Sequence, residues 1–291
     1  MDKLKAMATL VAIADAGSLT AAAKAQGGSL PSVVRTLAAL EGQLGTRLFH
    51  RTTRKITLTD EGRRYLDSCR KVLQAVADAD DELHADRTEP RGRLTVTAPV
   101  LFGQLHVCGA ITTFLQRYPK VEVDVRLHDH VVNLVDEGID VGIRIGPLDD
   151  ASLVAKKIGS QRRVVVASPD YLARHGTPRE PGELAAHNCL RFSNARAAVW
   201  PFVVDGEAVS VPVRGNLAIN QVAPLAAACA AGLGLGLFMS YQVAAHVKRG
   251  ALRVVLEDFS PPERPIHIVY PRAPQRPARL TAFVEWMRRS L

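Results

Sequence analysis

Aromatic side chains are scarce in this chain: eight Phe, five Tyr and two Trp make up 5% of 291 residues. A core must therefore be packed mainly from Leu, Val and Ala. Cysteine is scarcer still, with four residues at 69, 108, 189 and 229, no Cys-x-x-Cys pair and no Cys/His cluster at metal spacing. That excludes a disulfide framework and a structural zinc site, and it points to isolated thiols in a reducing, cytoplasmic compartment. Residues 222–239 are uncharged for 18 positions, but they hold Pro224 and three glycines and fall short of a membrane span of about 20 residues. They read as a buried helix followed by a buried strand. The start, MDKLKAMATLVAIADAG, has the ingredients of a secretory signal. Its apolar residues Leu4, Met7, Leu10, Val11 and Ala14 nevertheless recur at helical spacing, so it reads as an amphipathic helix. No Gly-x-Ser-x-Gly, His-Glu-x-x-His or P-loop motif occurs. GLGLG (232–236) follows a helix and enters a strand, the reverse of the dinucleotide fingerprint.

What is present is an apolar content of 47% and a net charge of +8. Globular domains and an anionic partner fit both numbers. The charge is segregated: residues 1–90 carry 13 basic and 12 acidic side chains, yet 35–71 carry nine and four, and 78–89 are acidic.

Three short helices open the chain. The first spans about 2–15 and breaks at Gly17. Ser18 caps a second, which ends at Gly27 and Gly28. Ser29 caps a third, with Pro31 in its first turn, where a missing N–H costs nothing. Leu37, Leu40 and Leu44 of that helix point inward. This is helix-turn-helix spacing. In TRLFHRTTRKITLT (46–59), Leu48, Ile56 and Leu58 are core candidates, and Arg51, Arg54 and Lys55 crowd the loop of a β-wing. Thr59 caps a long helix reaching about residue 86. Leu66, Cys69, Leu73, Val76 and Leu83 repeat along it at three and four, a coiled-coil-like dimerisation seam. TEPRGR (88–93) is a hinge.

Beyond it the grammar is β-α-β-α-β. LTVTAPV (94–100) is a strand, LHVCGAITTFLQRY a helix, VEVDVRL (121–127) a strand, VVNLVDEG a helix and DVGIRIG (140–146) a strand, which predicts a parallel sheet. Strands at 162–168, 200–213, 234–239 and 266–271, and helices at 221–231, 241–249 and 276–291, complete two α/β units. The second is inserted into the first at about 161 and 265.

The third helix places Ser29, Ser32, Arg35 and Thr36 near its N-terminus, where a major-groove helix presents side chains to base edges and phosphates. In the α/β half, ligands favour the carboxyl ends of strands. Pro99, Val100 and Phe102 follow the first strand, His128, Asp129 and His130 the second, and Arg144 and Ile145 end the third. Phe192, Asn194, Asn220 and Phe238 are candidates on the other unit. No catalytic residue, metal or resident cofactor is expected.

The segment ATLVAIADAGSLTAAAKAQGGSLPSVVRTLAALEGQLGTRLFHRTTRKITLTDEG resembles the DNA-binding domain of the LysR-type transcriptional regulators. RGRLTVTAPVLFG, FLQRYPKVEVDVRL, VVNLVDEGIDVGIRIG and VVVASPDYLARHGTP resemble their effector domain, so the likeness covers nearly the whole chain. It implies a winged helix-turn-helix domain (1–59), a dimerisation helix (60–87), a hinge (88–93) and an α/β domain of the periplasmic-binding-protein type. The latter has subdomains 94–161 with 266–291, and 162–265. It also implies a homo-oligomer, dimer or tetramer, that binds double-stranded promoter DNA, meets RNA polymerase and responds to a non-covalently bound small-molecule effector, with no membrane partner. DNA contacts are then expected from Ser29, Leu30, Pro31, Ser32, Arg35, Thr36, Arg51, Thr53, Arg54 and Lys55. The family commonly reads SQPAVSR where this chain reads SLPSVVR. Leu30 thus replaces a base-contacting glutamine and Val34 a serine, and leucine can pack on a thymine methyl but cannot make a bidentate adenine contact. Two other readings fit the residues: a solute-binding module without specific DNA affinity, and an α/β-class enzyme.

Overall fold

A computed structural model describes residues 2–51, 56–83, 89–148, 150–193, 198–273 and 276–291; for residues 51, 78 and 80–83 only the backbone is described. The chain divides into two compact units, Met1–Gly92 and Arg93–Leu291.

The first unit is a winged helix-turn-helix. Helix α1 (Lys3–Ala16) is capped by the Asp2 carboxylate, which accepts the Lys5 amide, and ends at Gly17 with φ 61°. Helix α2 (Leu19–Ala25) is capped by Ser18 and α3 (Leu30–Leu44) by Ser29, each through an amide three residues on. These caps satisfy orphan N–H groups that a helix start would otherwise expose. Strands β1 (Phe49–Arg51) and β2 (Ile56–Leu58) pair antiparallel, with Phe49 opposite Leu58. Helix α4 (Asp60–Leu83) follows. Thr59 Oγ1 caps it by accepting the Gly62 amide at 2.8 Å, and it donates to the Arg47 carbonyl at 2.8 Å, which ties helix to wing. Leu10, Ile13, Leu37, Leu40 and Leu48 are fully buried between these elements, and an Arg70–Asp15 ion pair clips α4 to the end of α1.

One expectation is corrected here. Leu66 and Cys69 lie 5% and 0% exposed in this unit's own core, with Leu73 packed against it. They are not free for a partner chain. The first turns of α4 face α1, so the apolar repeat serves the internal core before it serves anything else. Val72 and Val76 are the exposed apolar pair on α4, whereas the Leu83 side chain lies outside the described residues.

The second unit has two lobes, each built on a five-stranded sheet. In lobe I the strands are β3 (Gly92–Ala98), β4 (Val121–Leu127), β5 (Val141–Ile145), β6 (Leu153–Gln161) and β14 (Arg264–Pro271), ordered β4-β3-β5-β14-β6. The sheet is mixed rather than parallel: β3 and β5 are parallel, but β14 runs antiparallel to both β5 and β6. Strand spacing cannot reveal this, because the returning β14 comes from the far end of the sequence. Lobe II holds β7 (Arg163–Ala167), β8 (Cys189–Phe192), β11 (Ala218–Ile219), β12 (Leu235–Met239) and β13 (Arg253–Val255), ordered β11-β8-β12-β7-β13. A hairpin of β9 (Val199–Val204) and β10 (Glu207–Pro212) packs Trp200 and Phe202 into the lobe II core. The chain crosses between lobes at Arg162 and returns between Val255 and Arg264.

Helices cover the lobe I sheet. The expected single helix after β3 is α5 (Val100–Phe102), a π-turn over Gly103–Val107 and α6 (Cys108–Arg117). Gly103 lies against the Leu127 side chain, where a Cβ would not fit. Helix α11 (Ala278–Ser290) joins α6, with Phe114 and Phe283 edge to face at 5.2 Å and Trp286 Nε1 donating to the Ala110 carbonyl. The expected helix VVNLVDEG shrinks to α7 (Leu134–Glu137), since Asn133 caps it and Gly138, with φ 64°, stops it; Val131 stays outside, 86% exposed. Lobe II carries α8 (Pro169–His175), α9 (Val222–Ala230) and α10 (Ser240–Lys248). GLGLG proves to be a packing device: a Cβ on Gly234 would overlap the Asn188 carbonyl, and one on Gly236 would sit 2.7 Å from Cys229 Sγ.

Candidate nucleic-acid interface and ligand cleft

Helix α3 is two-faced. Val33, Leu37 and Leu40 are buried, whereas Ser29, Leu30, Pro31, Ser32 and Arg35 are exposed and Thr36 is half-buried. Ser29 spends its hydroxyl on the Ser32 amide (3.4 Å). Among the described residues, Ser32 Oγ and the Arg35 guanidinium have no intramolecular partner, so both are free to meet a groove. Leu30, 41% exposed, puts an apolar tip at the same end. Of the wing candidates, Arg51 closes β1 but its side chain, like Thr53, Arg54 and Lys55, lies outside the described residues.

The second unit holds a cleft of about 640 Å³ between its lobes, a size suited to a small organic molecule. Its apolar walls include Phe192, Trp200, Leu225, Leu237 and Phe238 from lobe II, with Pro99 and Ile145 from lobe I. Its polar groups are Asp129, Arg163, Arg191, Ser193, Ser210, Tyr241 and Gln242. Asp129 Oδ1 accepts the Val100 amide at 3.0 Å, while its Oδ2 is buried and meets no hydrogen-bonding partner among the described residues. Arg191 Nε is likewise buried and unpartnered, as is Nε of Arg264, whose guanidinium occupies the space a Cβ on Gly146 would need. Burial holds the Arg163 pKa below its ordinary value, and the neighbouring Arg264 charge pushes the same way. The Tyr241 hydroxyl is pushed up to about 12, mainly by burial, so it stays a neutral phenol. Phe102 sits edge to face with Tyr241 at 5.1 Å and fixes that ring.

Five residues named from the sequence therefore line the cleft, Pro99, Asp129, Ile145, Phe192 and Phe238, while Val100 stands behind the lining and donates its amide to Asp129. Others do not. Phe102 is buried behind Tyr241. Arg144 faces away and donates to the Val132 carbonyl at 2.9 Å, because alternation along β5 sends its neighbour Ile145 to the cleft. His128 and His130 pair their rings at 5.1 Å away from the lining residues, and Asn220 is exposed. Asn194 lies outside the described residues.

Arg163, Arg191, Trp200, Tyr241 and Gln242 were missed. Tyr241 and Gln242 follow the carboxyl end of β12 and obey the rule that found Phe238. Arg163 escaped that rule because β7 runs antiparallel to β12: Met239 lies opposite Arg163, so the amino end of β7 borders the cleft. Nothing in the sequence places the β9–β10 hairpin, and with it Trp200, at this mouth. Among the described residues there is no cluster of His, Cys, Asp or Glu able to hold a metal, and no single helix is long and apolar enough to cross a membrane.

Comparison with known proteins agrees with this geometry. Residues 4–63 match the model of the bacterial regulatory helix-turn-helix protein, lysR family, and residues 87–291 that of the LysR substrate binding domain. An HTH-type transcriptional repressor of Pseudomonas aeruginosa is 32% identical over 99% of this chain and 92% of its own. The transcriptional regulator PtxR of Pseudomonas aeruginosa is 34% identical over 97% and 90%. The full-length Vibrio cholerae virulence activator AphB is similar in structure, with a TM-score of 0.62 and 27% identity over 98% of both chains.

Proposed function

The chain belongs to the LysR family of bacterial transcriptional regulators, not to an enzyme family, and from that premise we propose a sequence-specific promoter-binding protein whose DNA occupancy is set by a small molecule in the inter-lobe cleft. The observation that carries the reading is α3. Its inner face is anchored by Val33, Leu37 and Leu40, so the partnerless Ser32 and Arg35 stand on a rigid platform. A protruding helix end with a free guanidinium is what a major groove accepts. Residues 1–59 act as the DNA-binding domain, α4 as the dimerising helix and the segment between α4 and β3 as the hinge. Lobe I, which β3 and β14 extend to 92–161 with 264–291, and lobe II, 162–263, hold the effector.

Two copies, paired through the exposed Val72 and Val76 of α4, present two recognition helices to a near-palindromic site, with a tetramer as the larger assembly. The site of action is the cytoplasm, at a promoter shared with RNA polymerase. Ligand acts by favouring one subunit arrangement, since only differential affinity shifts an equilibrium. The test is enrichment of genomic fragments on the purified chain, followed by fluorescence anisotropy at two salt levels. A preferred duplex whose affinity falls steeply with salt is expected. Equal affinity for all duplexes would leave a solute-binding module without DNA specificity.

A further inference from the structure

We infer that the cleft selects a small carboxylate that carries a hydroxyl on an apolar, aromatic-sized body, bound with its anion on lobe II and its hydroxyl on lobe I. This deepens the proposed function and rests on the cleft being the ligand site.

The unmatched polar groups dictate the chemistry. On lobe II, Arg163 lines the cleft, and among the described residues its guanidinium has no ion pair or hydrogen bond. Arg191 lines it too, with a buried, unpartnered Nε. Arg264, at the start of β14 in lobe I and behind the lining, adds a third positive charge close to Arg163. Half-buried cations without paired counter-charges are costly, and a planar carboxylate matches a guanidinium fork. On lobe I, Asp129 is held by the Val100 amide through one oxygen, and its other oxygen is a buried acceptor with nothing to accept. That oxygen calls for a donor. An ammonium donor would make the ligand a zwitterion of no net charge, which pairs both poles but leaves the excess positive charge of the three arginines over Asp129 unreduced. A neutral hydroxyl satisfies Asp129 while keeping the ligand net anionic, which suits the excess of positive charge. Tyr241, which stays a phenol, and Gln242, whose Nε2 donates to the Tyr241 oxygen at 3.3 Å, flank this pole with neutral groups. Between the poles lie the rings of Phe192, Trp200 and Phe238, which specify an apolar body. Such a ligand touches both lobes at once, so it can set their separation.

The probes are 3-phenylpropionate, its 2-, 3- and 4-hydroxy derivatives, tyramine and 2-phenylethanol, titrated into the full-length protein by calorimetry. Emission of Trp200 reports location, and the Trp200→Phe variant, which retains Trp286, is the control. At least one hydroxy acid is expected to perturb Trp200 and to bind about tenfold or more tighter than 3-phenylpropionate, the margin a hydrogen bond to a charged group supplies. Tyramine should bind more weakly than any acid. Asp129→Asn, which keeps an acceptor for the Val100 amide, should abolish the margin. Arg163→Gln should weaken every acid about tenfold or more. Equal binding of the parent acid and its hydroxy derivatives, or a margin that survives in Asp129→Asn, overturns the inference. So does a response to 2-phenylethanol or tyramine with none to the acids, which would leave the cleft a ligand site of other chemistry. Silence of Trp200 to every probe rejects the cleft as the ligand site and the inference with it.

Discussion

Replacing Gly62 by Ala probes the joint between recognition domain and long helix. Gly62 is the third residue of α4, where its backbone lies against Leu48 at the base of the wing. A Cβ built there stands 2.9 Å from the Leu48 carbonyl carbon and 3.1 Å from its Cα, with the carbonyl oxygen nearer still. Every obstructing atom is backbone, so no rotamer relieves the overlap, and wing and helix must part by about 1 Å to reach ordinary contact. That movement strains the Thr59 amide to Leu48 carbonyl bond (3.0 Å) and the Thr59 cap on Gly62 (2.8 Å). Overpacking of this kind costs about 1–3 kcal/mol, and weakening two hydrogen bonds adds about 1–2 kcal/mol. Against this, Ala gains about 1 kcal/mol of helix propensity over Gly. The net is a loss of about 1–4 kcal/mol. Gly42→Ala is the control, because Gly42 lies within α3 with nothing within 4 Å of an added Cβ, so the propensity gain stands alone. Hydrogen exchange of α3 and α4 peptides reads both variants: Gly62→Ala should exchange faster than wild type and Gly42→Ala more slowly. Equal protection in the two variants would refute the close approach of α4 to Leu48.

Arg35→Ala should lower affinity for the preferred duplex by about tenfold or more and flatten its salt dependence, because a phosphate or guanine contact is lost; unchanged mobility shifts would remove α3 from the interface. Leu30→Gln should change which duplexes are enriched more than overall affinity, and identical enrichment profiles would count against a base contact there. Leu66→Ala should cost about 2–5 kcal/mol of unit stability through a core cavity; Val76→Asp should leave folding intact and shift sedimentation toward monomer. Finally, Cys189 and Cys229 are pushed up to about 12 by burial, and burial also raises Cys69. At pH 8 these groups stay thiols, so iodoacetamide on the native protein should label the half-exposed Cys108 and spare the other three, as peptide mapping will show.

Local chemistry determined much of this protein in the sequence itself. Ser18, Ser29 and Thr59 cap helices, Gly17 and Gly45 end them, and Val33, Leu37 and Leu40 recur on one side, because capping and period are properties of a few neighbouring residues. For the same reason the exposed face of α3 was legible down to Ser32 and Arg35. Partner choice was not. The apolar repeat of α4 is equally suited to a second chain or to α1, and only the packed domain assigns Leu66 and Cys69 inward. Nor does the text of β14 say that it inserts antiparallel between β5 and β6, since its partners are more than a hundred residues away. The cleft belongs to both levels: the strand-end rule reaches Pro99, Asp129, Ile145, Phe192 and Phe238, whereas only the tertiary structure brings Arg163, Arg191 and Trp200 to them. Arg163 looks like an ordinary strand residue, and nothing marks Asp129 out from His128 and His130 beside it, until two sheets from separate stretches of chain face one another. Their unmet charges then exist only because burial has removed the water that would have met them.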